Sequence, residues 1–126
     1  DIDHFKSIND TWGHQSGDEV LYQIAQVLTS IAREYDTIAR IGGEEFLMII
    51  PLKNEKDAEF VFERFCNEIA NNKMKTKGGE ITVTVSIGVT CAKADSEMNK
   101  LLSEADEAMY QAKEQGRNRV VYFKKG

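Results

Sequence analysis

Thr37-Ile38-Ala39-Arg40-Ile41-Gly42-Gly43-Glu44-Glu45-Phe46-Leu47-Met48-Ile49-Ile50-Pro51 decides what kind of sheet this chain can build. Apolar and β-branched residues run over 37–41 and return over 46–50, which reads as two strands. Pro51, the only proline, brings no N–H to a ladder and ends the second strand. Between the strands, Gly42-Gly43 permits the positive φ that a tight antiparallel turn demands. A hairpin in the middle of the chain argues against a purely parallel, doubly wound sheet.

Upstream of the hairpin, Val20, Leu21, Ile24, Val27, Leu28 and Ile31 recur on one helical face, and the spacing predicts a helix from Asp18. Ser16 or Asp18 is its expected cap, and Glu19 suits the positive end of its dipole. Gly13 and Gly17 punctuate an expected loop, and 4–12 reads as a short irregular helix. Asp1-Ile2-Asp3 has the look of a strand end, which leads to the expectation that a first strand precedes it. Downstream, Ala58, Val61, Phe62, Phe65 and Ile69 predict a helix over 55–72. A polar Gly-Gly turn follows at 75–80. Ile81, Val83, Val85, Ile87 and Val89 then alternate as one long strand, where Gly88 signals a bulge or a close backbone approach. Met98, Leu101, Leu102, Ala105, Met109 and Ala112 predict a helix over 96–115, Gly116 is its C′ stop, and 119–123 is a last strand. Helices that separate the remaining strands imply an α+β fold. Its central sheet is expected to be mixed and largely antiparallel, with helices packed on it.

The totals bound the function. A chain of 126 residues is one domain. Net charge is −5, with no Lys/Arg-dense stripe, which excludes a nucleic-acid polymer as partner because phosphate neutralisation supplies most of that affinity. A small anionic ligand remains compatible if a metal and a few local cations meet its charge. No apolar run approaches the roughly 20 residues that span a bilayer. Cys66 and Cys91 lack metal or redox spacing and read as a core cysteine and a strand cysteine in a reducing cytoplasm.

Two clusters carry chemistry. Asp1 and Asp3 close an expected strand end, and one of them is expected to look into a site while the other satisfies backbone or loop groups. Glu44 and Glu45 follow two glycines whose bare backbone lets a phosphate approach. Each pair alone is also met as a solvated turn. Together, one Asp and one Glu can converge on a hard cation. Mg²⁺ is typically held by one or two carboxylates plus substrate phosphates, and two such ions can clamp the attacking and leaving oxygens of a phosphoryl displacement. Lys6 stands one turn further on.

Gly42-Gly43-Glu44-Glu45-Phe46 resembles the signature of the GGDEF family, the diguanylate cyclases, in its Glu-third variant. Asp1-Ile2-Asp3-His4-Phe5-Lys6 with Ile8-Asn9-Asp10 resembles the family's metal and guanine segment, and Gly13-His14 with Gly17-Asp18 the loop after it. Ser86-Ile87-Gly88-Val89, Ala105-Asp106, Ala108-Met109-Tyr110, Ala112-Lys113 and Gly116-Arg117-Asn118 are similar to its late strand, last helix and exit. The likeness covers nearly the whole chain in order.

The resemblance implies a nucleotidyl-cyclase, palm-like fold over 1–126, with the family's first helix and first strand outside these residues. It implies two Mg²⁺ per site, with Mn²⁺ as an alternative, bound by Asp1, the Ile2 carbonyl and Glu44. Glu44 would also assist removal of the 3′-hydroxyl proton. Asn9 and Asp18 would read guanine, and His14 would touch substrate. Lys6, Lys113 and Arg117 would hold the triphosphate, with Lys6 stabilising the transition state. Glu45 is left as either a second-metal ligand or a structural partner. Arg33-Glu34-Tyr35-Asp36 resembles the family's RxxD inhibitory site, where Arg33, Asp36 and Arg64 would bind product.

The implied reaction joins two GTP into cyclic di-GMP across a homodimer, on the cytoplasmic side if flanking domains anchor the protein to a membrane. Three rivals share features: a relative that only binds nucleotide, another nucleotidyl cyclase or polymerase palm, and a structural interaction domain.

Overall fold

The computed structural model describes residues 1–124, and the chain order is two helices, a hairpin, a helix, a second hairpin, a strand, a helix and a strand. Helix α1 (Phe5–Trp12) and α2 (His14–Ile31) are separated by Gly13 alone, whose φ of 91° makes the break. One residue suffices, so the expected loop over 13–17 is not there. Gly17 lies inside α2 and donates its N–H to Gly13 O at 3.1 Å. Neither Ser16 nor Asp18 caps α2 with its side chain. Ser16 is buried, and its hydroxyl accepts the Gly78 N–H at 3.0 Å.

Strands β1 (Thr37–Gly42) and β2 (Glu45–Ile49) form the expected antiparallel hairpin, with Thr37 opposite Ile49 and Arg40 opposite Phe46. Helix α3 (Asp57–Ala70) follows. The expected polar turn is present at 77–78, but it is the tip of an unexpected second antiparallel hairpin, β3 (Lys73–Thr76) and β4 (Gly79–Thr82). Beyond it, β5 (Ser86–Val89) pairs in parallel with β6 (Arg119–Tyr122), and α4 (Met98–Glu114) is the crossover between them.

The single strand expected over 81–89 is thus two strands. Its alternation survives, since Ile81, Val83, Val85, Ile87 and Val89 are all buried. What changes is the partner: β4 bonds to β3, Val85 bridges to Ile2, and β5 bonds to β6. Side-chain alternation records the buried face and is blind to a change of ladder.

The fold is α+β and mixed, as expected, with strands hydrogen-bonded as three two-stranded pairs among the described residues. Residues 1–3 run between two of these pairs. The Ile2 N–H donates to Glu44 O at 3.2 Å, the Asp3 N–H to Thr84 O at 2.9 Å, and the Ser86 N–H to Asp1 O at 3.0 Å. Val20, Ile24 and Leu28 of α2, Phe62, Phe65 and Ile69 of α3, and Met74 form the centre of the core. On α4 the buried positions are Glu104, Ala108 and Ala112, while Met98 is exposed, so the inward face is rotated from the apolar stripe of the sequence. The small alanines allow α4 to lie close on β5. Cys66 is in the core, where burial pushes its thiol up to about 11. Cys91 lies beyond the end of β5 and is not a strand residue. No helix among the described residues is long and apolar enough to cross a membrane.

Candidate functional site

The two aspartates of residues 1–3 have different partners. Asp3 is buried and fully engaged: it accepts the Thr84 hydroxyl at 2.7 Å, the Ser86 hydroxyl at 2.6 Å and the Asn118 N–H at 3.0 Å. It is a junction of three segments. Asp1 shares none of these partners, and its side chain is only 5% exposed. Its Oδ2 is paired with the Lys113 ammonium, and its Oδ1 is buried without a hydrogen-bond partner. An ionised oxygen out of water with nothing donating to it is costly unless a cation completes it.

The backbone of Glu44 stands beside residues 1–3 because its carbonyl takes the Ile2 N–H. The turn before it adopts φ 154° at Gly42 and 47° at Gly43, and a Cβ on either would meet nothing within 4 Å. These glycines therefore serve the backbone conformation and leave open space above it. The Arg40 guanidinium closes the turn by donating to Gly43 O at 2.8 Å. Glu45 is exposed at the start of β2. No group of three or more His, Cys, Asp or Glu is placed to hold a metal among the described residues. A two-carboxylate set suits a hard divalent ion that takes its remaining ligands from phosphates and water. The buried, unpartnered Asp1 Oδ1 fits such an ion.

Lys113 reaches Asp1 from the last turn of α4. The helix ends in a Schellman motif: the Gly116 N–H bonds to Lys113 O at 3.3 Å and the Arg117 N–H to Ala112 O at 2.9 Å. Arg117 and Asn118 then take positive φ, 66° and 47°, which non-glycine residues adopt at a cost of about 1–2 kcal/mol each. The Asp3 carboxylate holds this turn through the Asn118 N–H, and Arg119 Nε donates to Arg117 O at 3.0 Å. Asp1, Lys113 and the turn carrying Arg117 are therefore gathered at one place.

Lys6 is exposed on α1 and Asn9 half-buried on the same helix. Asn9 lies against Gly17, so it meets α2 at the turn that bears Asp18, which is exposed, as is His14 at the start of α2.

Arg33 and Asp36 meet far from the start of the chain in sequence. Asp36 Oδ2 accepts from the Arg33 backbone N–H at 2.8 Å and from Nε at 3.1 Å, and Oδ1 accepts from Nη2 at 2.9 Å. Nη2 also donates to Pro51 O at 2.8 Å, and the guanidinium lies 4.6 Å from the centroid of the Tyr35 ring. The guanidinium holds the Asp36 carboxyl below the usual carboxylate range. Arg64 is not joined to this pair; its neighbour is Glu68, at 4.0 Å on α3. Sequence reasoning did not find Thr84, Ser86 and Asn118 as the partners of Asp3. The only signal was two hydroxyls spaced by two residues, one face of an extended segment.

Comparison with known proteins identifies the family and the fold. The family described as "Diguanylate cyclase, GGDEF domain" matches residues 1–119. Diguanylate cyclase DgcZ of Escherichia coli (strain K12) is 40% identical over 98% of this chain, and Diguanylate cyclase A of Treponema denticola is 43% identical, also over 98%. The chain spans 42% and 34% of the lengths of those two proteins. The crystal structure of the GGDEF domain of DgcB from Caulobacter crescentus, in complex with c-di-GMP, superposes with a TM-score of 0.88. It is 38% identical, with 97% of this chain and 73% of that chain covered. With a match over nearly its whole length, an acid-bearing Gly-Gly turn beside Asp1 and the same fold, this chain belongs to the GGDEF family.

Proposed function

We propose that the protein containing this chain is a diguanylate cyclase, which condenses two GTP into cyclic di-GMP and releases two pyrophosphates. One observation carries the reading: the hydrogen bond from the Ile2 N–H to Glu44 O sets the turn of Glu44 beside Asp1, whose buried Oδ1 lacks a partner.

Asp1, the Ile2 carbonyl and Glu44 would hold two Mg²⁺ ions, with Mn²⁺ able to substitute. Bound there, divalent ions lower the pKa of the 3′-hydroxyl and neutralise charge on the phosphates. Glu44 accepts the 3′-hydroxyl proton as that oxygen attacks the α-phosphate of the GTP on a second chain. Lys113 leaves Asp1 for the triphosphate, and Arg117 and Lys6 bind phosphate oxygens. Preorganised cations of this kind stabilise charge as it develops in the transition state. Asn9 and Asp18 recognise guanine, since a base with the wrong edge leaves their polar groups unpaired. His14 contacts the substrate. Glu45, exposed beside the site, is available to a second ion.

One chain positions one nucleotide, so the reaction needs a homodimer. Arg33 and Asp36, with Arg64 as an accessory cation, bind the product and inhibit. The c-di-GMP bound to the Caulobacter crescentus GGDEF domain supports a dinucleotide as ligand of this fold.

The test is the full-length protein incubated with GTP and Mg²⁺, alone and with an added dimeriser. Cyclic di-GMP and two pyrophosphates per product are expected, and Glu44→Ala should stop turnover while GTP still binds. Guanine nucleotide binding without any cyclic product under either condition would establish the binding-module alternative.

A further inference from the structure

Gly17 stands where a glycine is hard to justify by helix formation. It lies inside α2 with ordinary helical backbone, since it is absent from the residues of positive φ. Glycine in a helix interior weakens the helix relative to alanine. Its missing side chain must therefore be used by a neighbour, and the neighbour is specific. A Cβ built on Gly17 would overlap Asn9 Oδ1, stand 3.0 Å from Asn9 Cγ and lie at ordinary distance, 3.4 Å, from Phe5 Cζ. The space is filled by the end of one flexible polar side chain from α1, not by the hydrophobic core.

We infer that Gly17 is a specificity-positioning residue for the purine base: the bare turn of α2 seats the Asn9 carboxamide so that it faces a guanine together with the adjacent Asp18. The inference rests on the guanine-reading role proposed for Asn9. The physical consequence is unusual in sign. An alanine at 17 meets only the mobile end of Asn9, which can rotate away, and alanine favours the helix. Folding is thus unharmed while Asn9 loses its seat. A glycine kept for packing alone would do the reverse, because the collision would fall on stability.

The experiment measures binding of 3′-deoxy-GTP and 3′-deoxy-ATP, which lack the attacking hydroxyl, to the full-length protein and to Gly17→Ala, Asn9→Ala and the double variant, each with its melting temperature. Gly17→Ala is expected to weaken 3′-deoxy-GTP at least about fivefold, to narrow the guanine-over-adenine preference, and to melt no lower than the parent. In the Asn9→Ala background it should add nothing, since residues acting through one contact are not additive. If Asn9→Ala weakens guanine binding but Gly17→Ala does not, or weakens it equally in both backgrounds, or lowers the melting temperature instead, the positioning role is overturned and the reading of Asn9 stands. If Asn9→Ala itself binds both nucleotides as the parent does, the guanine role falls and the positioning role with it.

Discussion

Asp1 and Asp3 are the same residue type two positions apart and do opposite work. Asp3 gathers two hydroxyls and one amide N–H, so Asp3→Ala leaves Thr84, Ser86 and the Asn118 N–H without their acceptor. We expect it to destabilise the domain by about 3 kcal/mol or more, from ~1–3 kcal/mol per orphaned buried group, read as a lower urea midpoint. Asp1→Asn should leave that midpoint within about 1 kcal/mol of the parent, because the weakened pair with the 31%-exposed Lys113 is offset by relief of the charge on a carboxylate whose buried Oδ1 has no donor. Turnover should nonetheless be lost. Equal destabilisation by both substitutions would overturn this division. That the two acids take different tasks was legible only as an expectation, since strand alternation puts positions two apart on one face and does not supply the division. Which aspartate turned inward to the junction was not, because that depends on Thr84, Ser86 and Asn118, more than 80 positions away.

Lys113 adds a second expectation at this scale. Its ammonium already neutralises Asp1 Oδ2. A divalent ion arriving without nucleotide must displace it, whereas a triphosphate gives the ammonium another anion to bind. Lys113→Met should therefore bind Mn²⁺ alone more tightly, by about fivefold or roughly 1 kcal/mol, measured by the loss of free Mn²⁺ signal in electron paramagnetic resonance. Unchanged or weaker Mn²⁺ binding would show that the pair does not compete with metal.

Among elements, the joint between α4 and β5 matters most, because α4 delivers Lys113 and the turn of Arg117. Gly88 is the contact point. A Cβ there would collide with Ala105 O and Met109 N and stand 3.0 Å from Met109 Cα. These are backbone atoms of a helix, and no side chain can rotate to relieve them. Gly88→Ala should cost about 1–3 kcal/mol, the range for overpacking a well-filled interior. It should also lower turnover, as α4 must lift from the strand. Met109→Ala should fail to rescue it in thermal melts, since the colliding atoms remain; a rescue would place the strain in the side chain instead. The glycine within an alternating strand signalled this close approach in the sequence. The β3–β4 hairpin was hidden for a different reason. Its strands are four residues long, and Thr82 to Val85 keeps the same in-out alternation while the backbone leaves one partner for another. The rotation of α4 was hidden because alanine and a buried Glu104, not leucine, face the strand. Apolar periodicity weighs large residues, and the closest packing uses small ones.

At the scale of the whole molecule, the site is one-sided. In the proposed reaction Asp1, the turn of Glu44 and Lys113 would serve one nucleotide, and a cyclic dinucleotide needs two 3′-hydroxyl attacks. If each chain activates the 3′-hydroxyl of its own GTP through Glu44, the two bonds have separate chemistry. A heterodimer of parent and Glu44→Ala chains, isolated with two different affinity tags, still binds two nucleotides. Only the parent chain can deprotonate its 3′-hydroxyl. One phosphodiester then forms and one pyrophosphate leaves, so the expected product is the linear dinucleotide pppGpG, which the Glu44→Ala chain cannot close. Chromatography of the products distinguishes this from the alternative. Cyclic di-GMP formed at half the parent rate, with no linear species, would mean that a single glutamate serves both attacks. The task of Glu44 would then be to hold the ion rather than to take a proton from its own nucleotide.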